Sequence, residues 1–169
     1  MKNKQNANVA KEEKNTSNVL LACNVAQDRE DDVWFLDSGC SNHMTGNRAM
    51  FANLDEEIKY EVTTGTDTKI SVKGKGRVSI RARNGEQKFF PDVYYVPGLK
   101  CNLLSVGKLI NKGYNVVFKD DVCTIKDIPP SKKIIAEIQM TSNRMFPLKL
   151  NIELKGKGKS IVAVTQEAF

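Results

Sequence analysis

Between Glu57 and Ile125 the chain consists of short runs of alternating apolar residues, each cut off by a turn signal. That pattern constrains the fold to the all-β class with little helix. Ile58, Tyr60 and Val62 alternate with charged residues, and Ile70, Val72, Val78 and Ile80 repeat the same period of two. In a strand this period places every second side chain on one face, so each run offers one apolar face to a core. Thr63-Thr64-Gly65-Thr66-Asp67-Thr68 reads as the turn between two runs, Gly74 and Gly76 as a strand break, and Asn84-Gly85 as a hairpin turn. Phe89 to Val96 reads as a strand pair or one bent strand, ended by Pro97-Gly98. Asn102 to Gly113 is the single helical candidate, with Ser105 as its cap, Leu109 and Ile110 facing inward, and Gly113 as its stop. Tyr114–Phe118 and Val122–Ile125 form a last hairpin around Lys119-Asp120-Asp121, after which the pattern weakens past Pro129-Pro130. Many short strands with one short helix predict a small barrel or sandwich.

The flanks are different. Residues 1–17 are Lys, Asn, Gln, Glu and Ser with little to bury, and read as disordered. Val19 to Val25 and Val33 to Leu36 read as two strands joined by the charged turn Gln27–Asp32. This divides the chain into a linker at 1–17, a β domain at 18–127 and a weakly structured tail at 128–169. The 169 residues carry 26 basic and 20 acidic side chains, a net charge of +6 without an Arg-rich block, which reads as a solvated basic surface. No apolar run reaches membrane-spanning length and no signal region opens the chain, so the expectation is an intracellular, cytoplasmic protein without membrane contact. With no Cys-x-x-Cys pair among Cys23, Cys40, Cys101 and Cys123, the thiols are expected to be reduced.

The chemistry concentrates after the strand Val33–Leu36. There an apolar run delivers Asp37, followed by Ser38, Gly39, Cys40 and Ser41. A carboxylate carried to the end of a sheet, a hydroxyl to fix the loop and a glycine that lets the backbone turn close by together suit acid–base catalysis by a carboxylate. The bland reading is that Asp37 caps an ordinary turn. Peptide hydrolysis by carboxylates needs two of them sharing one proton, and the chain has one Asp-Ser-Gly. Catalysis therefore requires a two-fold homodimer that places two Asp37 side chains face to face.

Two stretches carry a family resemblance: Trp34-Phe35-Leu36-Asp37-Ser38-Gly39-Cys40-Ser41-Asn42-His43-Met44-Thr45 and Val93-Tyr94-Tyr95-Val96-Pro97-Gly98-Leu99-Lys100-Cys101-Asn102-Leu103-Leu104-Ser105-Val106. Their order and separation resemble the protease region of copia-type LTR retrotransposon Gag-Pol polyproteins. A third stretch, Met140 to Leu148, resembles the segment leading into the integrase zinc region. The resemblance implies a small retropepsin-like β-barrel that cleaves a polyprotein as an aspartic endopeptidase, with no cofactor and no metal. It implies Asp37, Ser38 and Gly39 as the catalytic loop and Thr64, Gly65, Thr66 and Asp67 as the tip of a flap over the substrate. It implies Leu103, Leu104 and Ser105 as the support beneath the site, with Ser105 where retroviral proteases have glycine. The flap lacks the Gly-Asp-Gly of many relatives. The zinc knuckle, integrase and reverse transcriptase of such polyproteins are absent, so the chain reads as a polyprotein fragment or a degenerate copy, with residues 128–169 as a pre-integrase segment.

Other readings are weaker. His43, the one histidine, makes a Cys-x-x-His pair with Cys40, half of a zinc site at most; the plainer reading is a polar residue beside the loop. Lys155-Gly156-Lys157-Gly158-Lys159-Ser160 lacks the first glycine of a phosphate loop, since Glu153 stands there. Trp34 suits a core better than a base stack. The competing functions are a non-enzymatic β-barrel remnant and a basic Gag-derived nucleic-acid binder. The missing knuckle argues against nucleic-acid contact through this domain.

Overall fold

The computed structural model describes residues 32–63, 69–82 and 85–154. In chain order the strands are β1 (Val33–Asp37), β2 (His43–Thr45), β3 (Phe51–Asp55), β4 (Tyr60–Thr63), β5 (Lys69–Val72), β6 (Gly74–Arg81), β7 (Gln87–Tyr95), β8 (Asn102–Ser105), β9 (Asn115–Lys119), β10 (Val122–Lys126), β11 (Ile134–Gln139) and β12 (Pro147–Lys149). A single-turn 3-10 helix at Arg48–Met50 and the α-helix α1 (Val106–Asn111) complete the set. Among the described residues the fold is all-β with one short α-helix, as the alternation predicts. A seven-stranded sheet runs β12-β1-β8-β2-β7-β6-β3, a three-stranded sheet runs β11-β10-β9, and β4 pairs with β5 alone. The expected 1–17 tail, the Val19–Val25 strand, the flap tip at Thr64–Asp67 and the Lys155–Ser160 run lie outside the described residues.

One connection positions the site. β8 lies between β1 and β2, although β1 and β2 follow each other in sequence. It runs parallel to β1, pairing Phe35 with Leu103, Leu36 with Leu104 and Asp37 with Ser105. It meets β2 antiparallel at Met44 and Leu103. The loop leaving Asp37 must therefore pass over the end of β8 to reach β2, which puts Ser105 beneath it. A parallel pair inside a sheet is buried on both faces, and its strands read as continuous apolar runs rather than alternating ones. Trp34, Leu36 and Leu104 enter the larger core with Val78, Phe90 and Ile125. Leu103 turns to a second cluster with Cys40, Met44, Val72, Val96 and Leu99. Full burial of each leucine contributes about 1.5–3 kcal/mol.

Several local expectations change. Gly74 and Gly76 do not break the chain; both lie inside β6. A Cβ on Gly76 would stand 2.0 Å from the Asn53 carbonyl oxygen, so close approach of β3, at an irregularity in the β3–β6 register, demands glycine there. Phe89–Val96 resolves as one bent strand, with Asp92 at φ 60° where the β6–β7 register skips. Of the Asn84-Gly85 pair expected as a hairpin turn, Asn84 lies outside the described residues, while Gly85, between β6 and β7, has φ 82° and donates to the Ala82 carbonyl at 2.9 Å. The helix is shorter than the Asn102–Gly113 span, because Asn102–Ser105 is taken by strand pairing. Leu109 is buried as expected, whereas Ile110 is 53% exposed, one helical step of about 100° away from the buried face. Cys40 and Cys123 are buried free thiols, but Cys101 is disulfide-bonded, which spacing alone does not signal.

The chain past Pro130 joins the same core. Ala136, Ile138, Leu148 and Leu150 are buried in the larger cluster, and β12 pairs antiparallel with β1. The seven-stranded ladder stays open as a barrel. Immediately after β12, however, the chain turns back along β6. Arg81 donates its N–H to the Asn151 carbonyl at 2.8 Å, and Glu153 donates its own to Ser79 at 3.0 Å. The bridge between Ile80 and Ile152 lies between these bonds. The Glu153 carboxylate accepts from Ser79 Oγ at 2.8 Å and Gln87 Nε2 at 2.6 Å, and pairs with Arg81.

Candidate active site

Asp37 ends β1 and is only 4% exposed. Its Oδ1 accepts the Gly39 amide at 2.7 Å, and the Cys40 amide also donates to the carboxylate. Its Oδ2 is buried and has no partner among the described residues. Burial raises the Asp37 pKa above the ordinary aspartate value, and the two amides pull against that rise. The carboxyl is thus biased toward its protonated form, with one oxygen held and the other free.

Ser105 secures the loop from below. Its Oγ donates to the Cys40 carbonyl at 2.7 Å and accepts the Lys108 amide at 3.2 Å as the cap of α1. Its backbone N–H donates to His43 Nδ1 at 3.0 Å. Leu103 and Leu104 are 2% and 0% exposed, and with Ser105 they lie on β8, which pairs with β1 as far as Asp37 and Ser105. Ser38, expected to fix the loop with its hydroxyl, is exposed, and that hydroxyl has no hydrogen-bond partner among the described residues. The serine that holds the loop is Ser105.

A second tie runs deeper. Thr45 Oγ1 donates to Asn102 Oδ1 at 2.7 Å, and Asn102 Nδ2 donates to the Val33 carbonyl at 2.9 Å. This chain of bonds links β2, β8 and β1 at the end of the sheet away from Asp37. Gly46 follows at once, and a Cβ there would meet the Leu99 carbonyl oxygen at 2.2 Å. The thiol of Cys40 is pushed up to about 12 by burial and by the Asp37 carboxylate, which keeps it protonated and unreactive.

The hairpin of β4 and β5 stands over the same cluster that underlies the loop. Val72 is buried there, and Val62 and Ile70 pack against it. Tyr60 at the hairpin base meets the Tyr94 ring edge-on at 5.2 Å. Its strands pair from Tyr60–Val72 to Thr63–Lys69, while Thr64, Gly65, Thr66 and Asp67, the expected flap tip, lie outside the described residues.

The sequence reading missed the part played by His43. It is completely buried, its Nδ1 is occupied by Ser105, and its pKa is pushed down to about 3 by burial and by Lys112 and Lys108. A buried orientation was signalled only by its place between two small polar residues and an apolar strand.

Residues 34–114 match the family model described as "Pol polyprotein, beta-barrel domain". The chain is similar to the transposon Ty5-1 protein of Saccharomyces cerevisiae, with 33% identity over 73 residues, 43% of this chain and 47% of that protein. The match thus spans about half the length of that relative.

Proposed function

We propose that residues 34–114, which match the Pol polyprotein β-barrel model, act as one half of a homodimeric aspartic endopeptidase whose substrate is a retrotransposon polyprotein. One observation carries this reading: a buried carboxyl at a strand end, with Oδ1 held by the Gly39 amide at 2.7 Å and Oδ2 left without a partner among the described residues. A buried unpaired carboxylate oxygen is costly in a lone domain. A second Asp37 across a two-fold axis would supply the missing partner as a shared proton. In that pair the ionised carboxylate takes a proton from water as it attacks the peptide carbonyl. The protonated carboxyl gives its proton to the carbonyl oxygen. Collapse of the resulting diol breaks the C–N bond and passes a proton to the departing amine. The β4–β5 hairpin would cover the substrate.

The test is cleavage of a polyprotein-derived peptide by the parent chain and by Asp37→Asn, which keeps the size and removes the shared proton. Cleavage should vanish while the fold remains. Specific activity should rise with protein concentration, and Asp37→Asn chains mixed into the parent should poison it through mixed dimers. Asp37→Asn activity within about tenfold of the parent would overturn the assignment, since dyad chemistry contributes far more than that. A folded parent that cleaves nothing would leave the non-enzymatic barrel as the reading, and salt-dependent binding of nucleic acid would favour the basic binder.

A further inference from the structure

We propose that His43 is the positioning residue of the Asp37 loop: its bare Nδ1 holds the Ser105 amide, and Ser105 in turn holds Cys40 over the site. This rests on Asp37 being the catalytic carboxylate.

The geometry runs in one direction. The Ser105 N–H needs an acceptor lone pair, and His43 Nδ1 supplies it at 3.0 Å. That bond requires the tautomer with its proton on Nε2. Ser105 Oγ, three bonds further on, donates to the Cys40 carbonyl at 2.7 Å. The Cys40 and Gly39 amides then face the Asp37 carboxylate. His43 is thus one hydrogen bond from Ser105, and Ser105 one hydrogen bond from the loop that aims two amides at Asp37.

Packing does not explain a histidine here. The side chain is wholly buried, and its Nε2 has no partner among the described residues. A leucine or phenylalanine would fill the volume without burying an unsatisfied N–H. The surroundings also keep the ring neutral, as the acceptor role demands. The Phe90 ring lies 4.4 Å from the imidazole, tilted by 49°. Lys112 stands over that same Phe90 ring at 5.3 Å. Lys108 on α1 and Lys112 at its end repel a second proton, and Asp92 on β7 opposes them. Protonation of Nδ1 would set two donors against each other and release Ser105.

The test compares two amides of like chemistry in the full chain. His43→Asn places an oxygen where Nδ1 stands, and His43→Gln places its amide where Nε2 stands. His43→Asn should keep kcat within about tenfold of the parent. His43→Gln should lose about 100-fold in kcat with KM changed less than about threefold, as a misplaced catalytic group does. A role in filling space would reverse that order, because glutamine is larger, and His43→Gln equal to or better than His43→Asn in kcat would overturn the proposal. Nitrogen-15 shifts of the imidazole in the unmutated chain provide a readout that needs no variant to fold. A bare Nδ1 at pH 7 is expected, and a protonated Nδ1 overturns the proposal. If the parent cleaves no peptide, the protease reading fails, while the tautomer and the Ser105 amide shift still decide what His43 does.

Discussion

Acidification should unfold this domain through His43, and the size of the effect follows from the burial of one side chain. The chain has a single histidine, so no other side chain has an unfolded-state pKa near 6.5. In the folded state that pKa is pushed down to about 3, chiefly by burial. Between these values the unfolded chain binds a proton that the native state refuses, so stability falls as pH drops below 6.5. At about 1.4 kcal/mol per pH unit, the loss is about 1.4 kcal/mol at pH 5.5 and about 3 kcal/mol at pH 4. Asp37 works in the opposite sense. Its pKa is raised by burial, so its folded-state cost is relieved as pH falls through that value. Glu56, Asp92 and Glu153 have lowered pKa values and lose their stabilising contribution in acid, but they sit at the surface, where solvent screens most of it. Comparison with His43→Asn cancels these shared contributions, because asparagine does not titrate. Urea unfolding of both chains at pH 7, 5.5 and 4 would be followed by the fluorescence of Trp34, the one tryptophan, which is fully buried beside Phe90. The parent should lose about 3 kcal/mol more than the variant between pH 7 and pH 4. Equal losses in the two chains would refute the reasoning and place the acid sensitivity among the carboxylates.

Leu104→Ala should cost about 2–5 kcal/mol in urea unfolding, because the side chain is wholly buried in the larger core. Gly76→Ala should destabilise by more than about 1 kcal/mol in the same assay, since its Cβ would fall on the Asn53 carbonyl and β3 would have to move. A chain ending at residue 127 should not fold cooperatively, whereas one ending at residue 154 should; the first lacks Leu148, Leu150 and the β12 strand beside β1, which circular dichroism melts would register. Glu153→Ala should cost about 1–2 kcal/mol by thermal melting, because the buried Ser79 hydroxyl loses its carboxylate acceptor.

Much of this protein is legible in one dimension. Alternation with a period of two, stopped by Gly, Pro and Asn, is a local property of a half-buried strand, and it located β4 to β7 and the β9–β10 hairpin within a few residues. The delivery of Asp37 by an apolar strand is equally local, as are the capping of α1 by Ser105 and the positive φ of Gly85. What the sequence could not carry is pairing between distant segments. That β8 lies between β1 and β2 depends on contacts some 65 residues apart in the chain, such as Ser105 Oγ to the Cys40 carbonyl. Asn102–Ser105 therefore read as the start of a helix until the parallel partner β1 claimed its backbone. Gly76 read as a break because the reason for it, the approach of Asn53, lies on another strand. The strands past Pro130 carried too little alternation to stand out, and they are held by a core that the earlier strands build. His43 makes the same point at the site itself. Its type and position are plain in the sequence, but whether an imidazole is a ligand, a base or a strut depends on which donor faces Nδ1, and folding across β8 brought the Ser105 amide there.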